Sequence, residues 1–112
     1  MARYRTGAVV LISFPFTDGS AVKKRPALVL LDTGDADILL ARITTQFSGS
    51  PFDCELADWA AAGLKAPSFV RLHKLATLEK RLVEKEFGML TAPDLQRVLK
   101  AFQKVNQTSS QQ

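Results

Sequence analysis

The shortness of the connections between β-prone runs constrains this chain more than any other feature. Ala8–Phe14, Ala27–Leu31 and Ile38–Thr45 are rich in Val, Leu, Ile, Phe and Thr, residues that suit a pleated, half-buried surface. Thr17-Asp18-Gly19-Ser20 and Asp32–Asp37, with Gly34 at its middle, are turn clusters. Neither leaves room for the helical crossover that a parallel pair requires. The three runs therefore predict an antiparallel meander, with the polar, cationic stretch Val22-Lys23-Lys24-Arg25 leading into the second.

Further along, Gln46–Phe52 reads as a loop around Gly49 and Pro51, and Asp53–Leu56 as a short strand. Ala57–Ala62 is alanine-rich and stops at Gly63, which predicts a short helix. Ser68–Leu72 and Ala76–Leu82 read as two further strands. Thr91-Ala92-Pro93-Asp94 has the order of a helix start: an N-cap hydroxyl, a proline in the first turn, an acid at the third position. Leu95, Val98, Leu99, Phe102 and Val105 then fall on one helical face. The expectation is a mainly β (α+β) fold, a small closed β-structure with a short inserted helix and a C-terminal helix packed on it. Residues 1–106 make a single domain, and the polar residues 107–112 are expected to form a disordered tail.

A chain of 112 residues has room for one core, and chains this small often gain stability by pairing with a copy of themselves. The apolar fraction of 46% suits a folded domain. The single cysteine, Cys54, excludes an internal disulfide and fits a reducing, cytoplasmic setting. One His and one Cys cannot build a dedicated metal site unless carboxylates supply most ligands, so no metal or cofactor is expected. Fifteen Lys and Arg against eleven Asp and Glu, a net +4, lean toward a polyanionic partner. The longest apolar run, 8–14, is far short of the roughly 20 residues that cross a bilayer. It is followed by FPFTDG and no small-residue cleavage site, so neither a membrane span nor a signal peptide is expected.

Two segments carry the chemical candidates. Residues 14–30, FPFTDGSAVKKRPALVL, run from a strand through a polar loop to a cationic tripeptide that Pro26 joins to a buried strand. Residues 40–46, LARITTQ, end a strand on two hydroxyls and an amide, and strand ends are rigid mounts for polar groups. Taken alone, Arg25 beside Lys23 and Lys24 reads as a solvated, charged approach to a strand, and strand threonines usually do no chemistry. His73, the only histidine, is a general-base candidate or a rim residue. Arg71, Lys74, Lys80 and Arg81 form either a phosphate-tracking surface or ordinary solubilising charge. Trp59 reads as core, and Cys54 has no helper base nearby in sequence.

The ordered set Gly7, FPFTDGS, KKRPALVL, ARITTQ, PSFVRLHKLATLEK (67–80) and FGMLTAPDL (87–95) resembles the MazF/PemK family of toxins from type II toxin–antitoxin systems. The resemblance covers nearly the whole chain. It implies an SH3-like barrel, a homodimer, and a metal-independent endoribonuclease (an mRNA interferase) that cuts single-stranded RNA and is held in check by a cognate antitoxin. The family's catalytic arginine, directly before a proline and an apolar strand, falls on Arg25. Its catalytic threonine, in an Ile-Thr-x-Gln pattern, falls on Thr44 of Ile43-Thr44-Thr45-Gln46. Thr17, Asp18, Lys23, Lys24, Gln46, Arg71 and His73 are the candidates for substrate contact. One departure is Gly7-Ala8, where many members carry Gly-Asp.

The chemistry stands beside the resemblance. RNA cleaves itself when a 2′-OH attacks the adjacent phosphate, and a guanidinium fork matches the charged phosphoryl oxygens. Arginine, with a pKa above about 12, is no general base. DNA lacks the 2′-OH and should resist this route. A competing expectation is a non-catalytic module on the same fold, a nucleic-acid binder or a toxin that poisons a protein target as the related CcdB family does.

Overall fold

The computed structural model describes residues 3–15 and 22–110. Six strands, β1 (Ala8–Pro15), β2 (Val22–Asp32), β3 (Asp37–Thr44), β4 (Asp53–Glu55), β5 (Phe69–Glu79) and β6 (Val83–Met89), precede one helix, α1 (Ala92–Ser110). They form one antiparallel sheet in the order β4-β5-β3-β2-β1-β6. The predicted meander is present: β1 pairs with β2 and β2 with β3.

The differences from expectation have physical causes. The cationic stretch from Val22 is itself strand, held in register against β1 with Lys24 opposite Ser13 and Arg25 opposite Ile12. The two strands expected between Ser68 and Leu82 are one, β5, bent by a register shift between its pairings to Ala41 and Arg42. Strand β6, VEKEFGM, gives no sequence signal because it is a charged edge strand recruited by pairing with β1. Strands β4 and β6 lie at opposite ends of the sheet order, so among the described residues it is not closed into the expected barrel.

The short inserted helix is also corrected, because Ala57–Gly63 is a run of turns. Ala62 N–H reaches both Asp58 O (3.3 Å) and Trp59 O (3.2 Å), Gly63 N–H reaches Ala60 O, and Leu64 N–H reaches back to Trp59 O. Hydrogen bonds of three different spans in one turn do not propagate, and so short a segment cannot recover the cost of helix nucleation. Gly63 ends it at φ +90°, where a Cβ would sit 2.5 Å from Phe87 O.

Alternation along the strands gives the sheet two faces. One carries Val9, Leu28, Ala41, Ile43, Val70 and Leu72 and is covered by Leu56, Ala62 and the Val98 stripe of α1. Leu95, Phe102 and Val105 pack there as predicted, whereas Leu99, 38% exposed, turns away from the core. The other face carries Val10, Ile12, Ala27, Val29, Ile38 and Leu40, packed against Tyr4, Leu78 and Leu82. Ala8 is buried in this second cluster, so an acid there would meet apolar neighbours.

A buried acid ties the helix to the turn. The Asp94 carboxylate accepts the N–H groups of Ala57 (3.1 Å) and Asp58 (2.8 Å) and pairs with Arg97, while Thr91 Oγ1 donates to Asp58 Oδ2. Burial pushes the Asp94 carboxyl up, but the Asp58 amide, Arg97 and the Ala57 amide together hold it below the usual range.

Candidate functional site

Pro26 shapes the site. It lies within β2 opposite Leu11 of β1 and has no N–H to give a strand on its other side. The pairing of β2 with β3 runs from Asp32–Ile38 only as far as Ala27–Arg42. Beyond that point a pocket of about 280 Å³ lies between the strands, lined by Arg25, Pro26, Arg42, Thr44, Thr45 and Gln46, with Ile43 and Ser68.

Arg25 shares a strand face with Ala27, and Arg42 and Thr44 share one with Leu40, the second core face continued outward. One face is therefore apolar at one end and cationic at the other. Arg25 is half-buried, and its Nε is buried with no hydrogen-bond partner. A donor so placed is costly unless an acceptor meets it. Thr44 Oγ1 accepts the Gln46 N–H at 3.2 Å, which fixes the hydroxyl and leaves its own proton to donate. Arg42 was not among the sequence candidates, yet alternation from Thr44 puts it on the same face. Among the described lining residues none is Asp, Glu or His, so the pocket is a place for negative charge.

The other candidates are dispersed. Gln46 lines the pocket. Arg71 is not among its lining residues: its Nη2 donates to Gln46 O at 3.0 Å, and its Nε is 3.9 Å from Asp53 Oδ1. His73 is exposed, with its ring against Phe52 at 5.6 Å between centroids. Lys24 is exposed and pairs with Glu84 at 3.6 Å, and Lys23 is exposed opposite Phe14. Thr17 and Asp18 lie outside the described residues. Lys80 is buried against Asp32 at 2.8 Å, and Arg81 pairs with Glu79, so the basic set Arg71, Lys74, Lys80 and Arg81 does not form one surface. Burial raises the Cys54 thiol above its ordinary value, which keeps it a thiol at neutral pH.

A neighbouring, mostly apolar cavity of about 340 Å³, walled by Leu11, Leu64 and Phe87, shares Pro26, Thr45 and Ser68 with the pocket. Lys65 and Lys85 also line this second cavity. Among the described residues no group of three or more His, Cys, Asp or Glu side chains converges, and no helix is long and apolar enough to cross a membrane.

No curated protein sequence matches the chain. Solved structures do match in fold. The Mycobacterium tuberculosis toxin MazF-mt6 is 22% identical with a TM-score of 0.70, covering 85% of this chain and 91% of its own. An endoribonuclease in complex with its cognate antitoxin, from a mycobacterial species, is 19% identical with a TM-score of 0.72, covering 90% and 91%. A MazE–MazF structure from Deinococcus radiodurans is 21% identical with a TM-score of 0.72, covering 89% and 92%. A family model described as PemK-like, MazF-like toxin of type II toxin–antitoxin system matches residues 5–106. With nearly the whole chain matched, the protein belongs to the PemK-like, MazF-like toxins of type II toxin–antitoxin systems.

Proposed function

We propose that the protein is a metal-independent endoribonuclease that cuts single-stranded RNA in the Arg25–Thr44 pocket. The observation that carries this reading is the Arg25 Nε, buried and without a hydrogen-bond partner in the same pocket as the Thr44 hydroxyl. In this reaction the 2′-hydroxyl gives its proton to water as its oxygen attacks the adjacent phosphorus, the bond from phosphorus to the 5′-oxygen breaks, and that oxygen takes a proton from water, giving a 2′,3′-cyclic phosphate and a 5′-hydroxyl. The substrate brings its own nucleophile, so no activated water is required. Negative charge grows on the phosphoryl oxygens, where the Arg25 fork meets it, while Thr44 donates to a phosphate oxygen. Arg42 adds a second cation at the mouth. With no carboxylate or imidazole among the described lining residues, electrostatic stabilisation carries most of the acceleration on this reading.

The same reading takes the six-stranded sheet with its helix as an SH3-like fold, the working unit as a homodimer, the compartment as the cytoplasm, and the natural inhibitor as a cognate antitoxin. The solved relatives in complex with an antitoxin support the last of these. The test is incubation of purified protein with single-stranded RNA and with the same strand in 2′-deoxy form. The expected result is RNA fragments ending in cyclic phosphate and an intact deoxy strand. Cleavage of both strands contradicts 2′-OH attack, and cleavage of neither favours a non-catalytic binding module.

A further inference from the structure

The loop that follows the pocket holds a large apolar side chain in solvent. Phe47 is 63% exposed, the most exposed large hydrophobic residue among those described. Single exposed apolar residues are common and usually mean nothing. Three further observations set this one apart.

The first is rigidity. Gln46 N–H is bound by Thr44 Oγ1, and Gln46 O by Arg71 Nη2. On the other side, Ser48 gives both its N–H (3.3 Å) and its hydroxyl (2.9 Å) to Asp53 Oδ2. The backbone is thus anchored immediately before and immediately after Phe47, and Arg71 beside Asp53 joins the two anchors. The second is support. The Phe47 ring rests on Phe69, with centroids 5.2 Å apart and planes at 36°. The third is position. Phe69 is the cross-strand partner of Thr44, so the two share a sheet face, and Phe47 directly follows the pocket residue Gln46.

We infer that Phe47, seated on Phe69, is a stacking platform for a nucleobase flanking the phosphate held by Arg25 and Thr44. The inference rests on the RNA reading of that pocket and adds a base subsite to it. A rigid, solvent-facing aromatic beside a cationic pocket is the combination that binds unpaired bases, since the backbone meets charge while the base meets a ring. A phenyl ring offers no hydrogen bond, so the subsite tolerates every base.

The test uses single strands blocked at every 2′-oxygen by methylation, so the outcome does not depend on cleavage. One probe is a pool of randomised sequence, and the other is an abasic strand of equal length. Fluorescence anisotropy gives the affinity of each for the full-length protein and for Phe47→Ala and Phe47→Trp. Wild type binds the base-containing pool about 5- to 150-fold more tightly than the abasic strand. Phe47→Ala loses that preference and keeps its affinity for the abasic strand, while Phe47→Trp retains the preference. An unchanged melting temperature is expected for both variants, because the ring is exposed. Equal binding of the pool by wild type and Phe47→Ala overturns the proposal and leaves the ring to a protein contact. Equal binding of pool and abasic strand by wild type overturns it as well. Failure of the cleavage reading has a separate signature, an RNA that is bound but never cut.

Discussion

Thr44 can be separated chemically into its methyl group and its hydroxyl. Thr44→Ser keeps the oxygen that accepts the Gln46 N–H and the proton proposed to meet phosphate, whereas Thr44→Val keeps only the shape. Hydrogen bonds to charged groups are worth about 1.5–3 kcal/mol, so Thr44→Val should slow RNA cleavage about 10- to 100-fold. Thr44→Ser should stay within a few-fold of wild type in a single-turnover assay. That Arg25 and Thr44 line one pocket was legible because each sits in a short pattern whose neighbours, Pro26 and Ile43, belong to the same strands. Arg42 was readable only from alternation, since it lies two residues before Thr44 on a strand otherwise taken as core. Phe47 was invisible because nothing in a loop sequence reveals that its flanking residues will be anchored.

At the scale of elements, the contact between α1 and the 57–63 turn is the most exposed to a single change. Asp94 satisfies two amides of the turn and Arg97 of its own helix. Asp94→Ala leaves those partners unmet and should lower unfolding stability by about 1–3 kcal/mol, read as a shift in the urea midpoint. Asp94→Asn, which retains one acceptor, should lose less. The sequence showed Asp94 as an acid favourable to a helix start, but its second allegiance depends on a tertiary contact 36 residues back. The same distinction separates the elements that were legible from those that were not. β1, β2 and β3 were readable from apolar runs joined by tight turns. β6 is a polar strand made by its partner, and the alanine run 57–62 has helical propensity without enough length to use it.

At the scale of the whole molecule, acid stability depends in part on Asp32. Lys80 donates to its carboxylate, aided by the amides of Tyr4 and Gly34, and its pKa falls from 3.8 to about 2. A depressed folded-state value means the group stabilises the protein above its unfolded value and loses that contribution as pH falls through the folded one. Thermal unfolding temperature should therefore decline between about pH 4 and pH 2, and the decline should be shallower in Asp32→Asn. The global outline was legible because a chain this short permits few arrangements of short-connected strands. The open edges of the sheet were not, because pairing depends on register, which shifts in β2 between Val29 and Leu31 and in β5 between Arg71 and Leu75.

The proposed cleavage depends on Arg25 stabilising the charge that develops at the cut phosphate. The direct measurement compares wild type with Arg25→Ala on single-stranded RNA in the presence of EDTA, with melting temperatures confirming that both are folded. Wild type should cut in chelator, and the variant should be slower by about 100-fold or more. A variant that cuts as fast as wild type, or a wild type whose cutting vanishes with chelator, would contradict it.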